Sequence, residues 1–412
     1  MRRLWIDLAT FQKKLGLACL TDEGIGEMER ALETIDYQKI NEYESRFHHD
    51  IMAHIHAFSD LCPTGKNMLH LGATSNFIND NVDAILTKSS FSEIYDLLEK
   101  TNAILKEKAH QYVETPTLAY THLQPAQLIT VGKRFAMWNA DIAMDLDTVT
   151  DTIQKLPFRG IKGTVGSEDT LMKMFDNDED KCAALNKMLS EKYDFQNSIQ
   201  ICGQTYSRKY DVLVIQTLSS ICQSVYKMMN DIRLLSGKCE VYEYFQKDQI
   251  GSSAMPYKMN PITCEKICSL CRVVINHESN MVQTYINQWL ERSLDDSALK
   301  RIVFPDCFML VEYILLETIK CITNIQINME QIHKHVEEHL PCILSEKIIM
   351  NGVKMGYNRQ DIHERLRKIF IQNGEPDFTK DDIIRTIFEK EPISMNPLHY
   401  IGRCVSQVNK ST

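Results

Sequence analysis

Residues 251–261 read G-S-S-A-M-P-Y-K-M-N-P, and the stretch combines an anion cradle with a proton acceptor. Gly251, Ser252 and Ser253 offer hydroxyls and backbone N–H groups on a side-chain-poor loop, and Lys258, Asn260 and Pro261 follow within eleven residues. Chemistry that removes a proton from carbon beside a carboxylate needs both parts. The aci-carboxylate it creates carries two negative charges and decays unless fixed donors meet it. Taken singly, Gly, Ser, Pro and Asn are ordinary turn residues; the order of the whole run is what points to chemistry.

Other loops are dense in residue types that could serve the same chemistry. Thr121-His122-Leu123-Gln124-Pro125 is one, and Pro157 to Ser167 (P-F-R-G-I-K-G-T-V-G-S) is another. The second lacks the G-x-x-x-x-G-K-[ST] order of a P-loop, so its glycines with Lys162 and Thr164 suggest only a backbone able to approach an anion. Gly72-Ala73-Thr74-Ser75 puts two hydroxyls ahead of a helix, where capping is the ordinary role and anion binding the sharper one. His48-His49-Asp50, with His54 and His56, is the densest imidazole cluster, as compatible with a hydrogen-bonded core edge as with a site. His335 to His339 fits H-x-x-E-H, but Pro341 follows and suggests a helix end, so a solvated helix face is the reading preferred to a metal site. Cys264, Cys268 and Cys271 share one helical face and read as core packing, with no fourth ligand for zinc at a known spacing.

These loops must be positioned by helices. Apolar residues recur at three- and four-residue steps from Val82 to Val113, from about Ala126 to Leu156, from about Ser207 to Leu235, from Pro261 to about Leu290 and from about Ser297 to Ile327. No run of alternating β-branched residues bounded by turns stands out, so an all-α fold built on one long bundle of five rods is expected. Rods of this length with more than one apolar stripe call for packing partners beyond their own chain, hence a homo-oligomer. The chain has 412 residues, 44% hydrophobic and 25% charged, an enzyme-sized globular composition. Its formal charge of −9 argues against nucleic acid as a partner. Asp7, Lys13 and Lys14 interrupt the apolar pattern near the start, and no run reaches spanning length, so no membrane partner and a cytoplasmic location are expected. Thirteen scattered cysteines fit a reducing compartment.

Four segments together resemble the animal-type adenylosuccinate lyases of the fumarase/aspartase superfamily: residues 121–127 (T-H-L-Q-P-A-Q), 202–206 (C-G-Q-T-Y), the loop 251–261, and Trp289 to Arg301. The resemblance runs from Arg3 to about Val408. The last segment, of W-x-E-R-S/T-L-D-D-S-A-x-x-R form, is the one that selects this family within the superfamily. It implies a long central five-helix bundle flanked by two smaller helical domains, divided here as 1–73, 74–327 and 328–412. It also implies a homotetramer whose active sites are shared between subunits, and a reaction needing no cofactor and no metal. That reaction is β-elimination of fumarate from adenylosuccinate, leaving AMP, and from the succinylated aminoimidazole carboxamide ribotide of purine biosynthesis.

Matched residue by residue, the family pattern makes Ser252 the general base and His122 the general acid. Lys258 and Asn260 become donors to the succinyl carboxylates, and Glu265 orients and charges His122. Substrate binding falls to His49, Asp50, Thr74, Ser75, Gln204, Arg292, Ser297 and Arg301. At His48 and Lys266 the family commonly has Arg, so a bidentate fork is exchanged for a simpler cation. The family also carries an S-x-x-x-R-Y segment ahead of the helix near Arg3, and its absence from the sequence as read makes a raised KM the expectation. Two alternatives differ in class: a catalytically impaired structural or heteromeric subunit of the same family, and a lyase of argininosuccinate type.

Overall fold

An apolar stripe along one side of a helix is buried only by packing on another element. The computed structural model, which describes residues 1–196, 198–245, 248–371, 376–391 and 393–412, is assembled from such helices. Among the described residues there are fifteen α-helices and four short strands. Five helices are long: Ser75–Gln111, Val131–Lys155, Lys209–Gly237, Ile262–Ile286 and Asp295–Thr323. They correspond to the five rods expected from periodicity.

Three local departures have physical causes. The first rod begins at Ser75 and not near Val82, because its opening turns bury polar residues: Asn76, Asp80 and Asn81 are almost fully enclosed beside Phe77 and Ile78. A pattern read from apolar residues passes over them. The second rod begins at Val131, with Thr130 Oγ1 accepting from Lys133 N at 3.0 Å. The residues before it, expected as helix from about Ala126, form the second strand of an antiparallel hairpin, Pro116–Thr121 with Gln124–Thr130. His122 and Leu123 make its two-residue turn with φ of 52° and 61°. Such turns ordinarily announce themselves by Asn or Gly, which His and Leu conceal. Finally, Pro341 does not end a helix. It sits inside Met329–Lys354, whose buried Val336, Leu340, Leu344 and Ile348 carry the helix past the missing N–H. There, His335 has both ring nitrogens engaged, with Glu240 at 2.8 Å and Gln331 at 2.7 Å.

The chain divides into two compact units. One comprises residues 1–96, 147–220 and 273–312; the other comprises 97–146, 221–272 and 313–412. In the first, Trp5 stacks on Phe58 at 6.3 Å and donates from Nε1 to His70 Nδ1 at 3.0 Å. Burial lowers the His70 pKa to about 4, which keeps this acceptor neutral. In the second, Leu340, Leu344, Ile348, Ile362, Leu366, Ile384 and Ile387 form the core of the C-terminal helices. No helix of the described residues is long and apolar enough to cross a membrane.

Candidate active site

The second unit holds every residue assigned to proton transfer. Loop 251–261 is shaped by its own backbone. Gly251 approaches the Lys258 carbonyl so closely that a Cβ would stand 2.0 Å from its oxygen. Asn260 Nδ2 donates to Gly251 O at 2.9 Å, so this side chain, expected to meet a substrate carboxylate, already spends one N–H on the loop. Within the loop, the N–H groups of Ala254 and Met255 donate to Ser252 Oγ at 3.3 and 3.2 Å. That oxygen thus sits among donors that would favour its ionised form. Lys258 is exposed. At the loop's exit, Glu243 accepts from Thr263 N at 2.9 Å and Cys264 N at 3.0 Å, satisfying two N–H groups of the helix Ile262–Ile286.

Glu265 lies in the first turn of that helix, half exposed and 4.0 Å from Arg233. His122 occupies the exposed hairpin tip in a left-handed conformation that side chains with a Cβ adopt at a cost. Among the described residues no hydrogen bond joins His122 to Ser252, Lys258 or Glu265 within the chain. Lys266 donates to Tyr313 Oη at 3.0 Å and to Glu317 at 2.5 Å, so its charge is committed.

The first unit holds the remaining binding candidates. Gln204 N donates to Glu291 O at 3.0 Å, and a Cβ on Gly203 would come within 2.6 Å of the same oxygen. This close approach pins segment 202–206 to segment 289–301. Arg301 pairs with Asp50 at 2.7 Å, joining two candidates 251 residues apart. His49 caps the helix Asp50–Ser59 by accepting from Met52 N at 3.4 Å through Nδ1, leaving Nε2 for a ligand. Ser75 is the first residue of its helix, and Thr74 just before it keeps a buried Oγ1 with no hydrogen-bond partner among the described residues. Arg292, Ser297 and Arg301 line one cavity of about 500 Å³ together with Asp80, Lys300 and Phe304; His49, Thr74, Ser75 and Gln204 lie outside that lining. Lys162 is buried and paired with Glu168 at 2.5 Å, so it is not a ready anion contact.

Asp80, Asp83, Arg208, Asp296 and Lys300 of the cavity lining belong to a charged network that sequence reasoning missed. Arg208 reaches Asp80 at 2.9 Å and Asp296 at 2.6 Å, while Lys300 reaches Asp83 at 3.1 Å and Asp211 at 3.2 Å. Tyr206 donates to Asp211 at 2.6 Å. Burial opposes the charges of Arg208 and Lys300, but the surrounding carboxylates outweigh it and hold both pKa values above their ordinary ranges. Asp80, Asp83, Arg208 and Asp211 stand outside every motif read from the sequence. The available signals were Tyr206, inside the C-G-Q-T-Y segment, and Asp296 and Lys300, inside the segment Trp289 to Arg301.

Helices of this order and a serine-bearing loop followed by Lys258 and Asn260 define a lyase of the fumarase/aspartase type, and the lyase family model matches residues 22–276. The fold resembles fumarate lyase from Mesorhizobium sp. BNC1, with TM-score 0.84 and 19% identity, covering 100% of this chain and 93% of that one. It also resembles 3-carboxy-cis,cis-muconate lactonizing enzyme from Pseudomonas putida, with TM-score 0.82, 19% identity, and 100% and 92% coverage. In sequence the chain is 37% identical to adenylosuccinate lyase of Saccharomyces cerevisiae, over 99% of this chain and 88% of that one. It is 39% identical to adenylosuccinate lyase of Schistosoma mansoni, with 99% and 88% coverage. The chain belongs to the adenylosuccinate lyase family.

Proposed function

We propose that this chain is a carbon–nitrogen lyase of purine nucleotide biosynthesis, releasing fumarate from adenylosuccinate to leave AMP and from the succinylated aminoimidazole carboxamide ribotide. The observation that carries this reading is the near full-length similarity to adenylosuccinate lyases at 37–39% identity. The elimination needs a base on the β-carbon, donors to the carboxylate that absorbs charge, and an acid at the departing nitrogen. Ser252 removes the carbon proton, the electron pair passes into the adjacent carboxylate, and the carbon–nitrogen bond breaks as His122 protonates the nitrogen. A serine is a poor base in water. The N–H groups of Ala254 and Met255 on its Oγ, with the charge of Lys258, supply the stabilisation that its alkoxide requires.

Asn260 and Lys258 then hold the succinyl carboxylates, and Glu265 orients His122. His49, Asp50, Thr74, Ser75, Gln204, Arg292, Ser297 and Arg301 hold the nucleotide, the two arginines by bidentate contact. Among the described residues no hydrogen bond joins the catalytic residues to one another within one chain, and a homotetramer with sites shared between subunits would bring them together. The three-domain division at 73/74 and 327/328 and a cytoplasmic location complete the reading. The test is fumarate release, followed by the ultraviolet change as adenylosuccinate becomes AMP. Turnover of both purine substrates is expected. Release from argininosuccinate alone would move the chain elsewhere in the superfamily, and inactivity on all three would overturn the assignment.

A further inference from the structure

Within the second unit, Cys264 and Cys321 meet Sγ to Sγ at 3.8 Å, both almost fully enclosed. A Glu243 carboxylate oxygen lies within 4.8 Å of both sulfurs. Helical spacing groups Cys264 with Cys268 and Cys271, but the fold gives it a partner 57 residues further along. We propose that Glu243, Cys264 and Cys321 form a binding site for a zinc-class divalent cation.

Zinc–sulfur bonds of about 2.3 Å at tetrahedral angles separate two thiolates by roughly 3.8 Å, so the pair already spans one edge of the ligand polyhedron. A disulfide would require the sulfurs to close to about 2.05 Å. Two sulfurs and one carboxylate favour zinc or cadmium over magnesium or calcium, which take oxygen ligands. The fourth position goes to a water. Cation binding displaces the two thiol protons to solvent, forming two metal–sulfur bonds; in the free chain Cys321, then burial, keeps the Cys264 thiol protonated. The bound ion would leave one net negative charge. The N-terminus of the helix Ile262–Ile286 offsets it, since that terminus already directs the N–H groups of Thr263 and Cys264 at Glu243.

The same carboxylate anchors the exit of loop 251–261, so a cation that draws on it loosens the loop's attachment. Occupancy therefore lowers lyase turnover. That consequence rests on the function proposed above; the binding itself does not.

The full chain, reduced and stripped with chelator, is titrated with cadmium while the ultraviolet thiolate-to-cadmium band is followed. One ion per chain is expected, and the band is lost in Cys264→Ser and in Cys321→Ser but kept in Cys268→Ser. X-ray absorption on the zinc-loaded natural chain, which needs no variant, is expected to find two sulfurs around the ion. A chain that takes up no metal, a zinc ion without sulfur neighbours, or a band that persists in the Cys264→Ser/Cys321→Ser double variant would overturn the site. Uptake with unchanged fumarate release would uphold the site and overturn only its coupling to the loop.

Discussion

Arg292 and Asp296 meet at 2.7 Å, and the other oxygen of the same carboxylate takes Arg208 at 2.6 Å. A cation lining the cavity is thereby fixed through an acid that is only 2% exposed. Removing one partner of a buried pair strands the other, at a cost of about 3–5 kcal/mol. Asp296→Ala is therefore expected to lower the Tm by several degrees. It should also raise KM for adenylosuccinate by at least about tenfold, with a smaller effect on kcat, because a nucleotide contact is made in ground and transition states alike. Thermal unfolding and steady-state kinetics on one preparation check both, and an unchanged KM would remove Arg292 from the binding assignment.

The hairpin turn separates the structural role of His122 from its chemical one. Asn tolerates the left-handed backbone that His122 adopts, so His122→Asn should keep the wild-type Tm and yet lose kcat by at least about 10²-fold. Ser252→Ala should lose a similar factor with the fold intact. Near wild-type turnover in either variant would withdraw that residue from acid–base catalysis.

Shared sites have a consequence for mixtures. His122→Asn and Ser252→Ala, each inactive alone, should regain part of the activity when their subunits are exchanged, because some sites then receive both intact residues. Light scattering should give a tetramer mass. Full activity in a monomer would contradict the arrangement.

His70 predicts a pH dependence of stability. Its folded pKa of about 4 lies below the ordinary 6.5, so the unfolded chain takes up a proton before the folded one. The stabilisation is complete above about 6.5, declines as pH falls, and is exhausted once pH passes the folded value. Replacing His70 with Gln should flatten the fall in Tm between about pH 6.5 and 5, where few carboxylates titrate. An identical slope in both proteins would show that other groups carry it.

The five long helices were legible because apolar residues at three- and four-residue steps are a local signal, and so was the serine-bearing loop, whose residues are contiguous. The hairpin was not, since its turn uses His122 and Leu123 where a glycine would have spoken. Nor was the opening of the helix Ser75–Gln111, whose enclosed face carries Asn76, Asp80 and Asn81. The sequence named Arg301 and Asp50 without relating them, and it gave Arg208, Lys300 and Asp296 no partners. The charges of Arg208, Lys300 and Asp296 are tolerated in the interior only because partners from distant segments meet there, and Cys264 faces Cys321 for the same kind of reason. Periodicity and motif order are properties of neighbours along the chain. Which charges, thiols and carboxylates share an enclosed space is decided by packing, through the cost of leaving any of them without a partner.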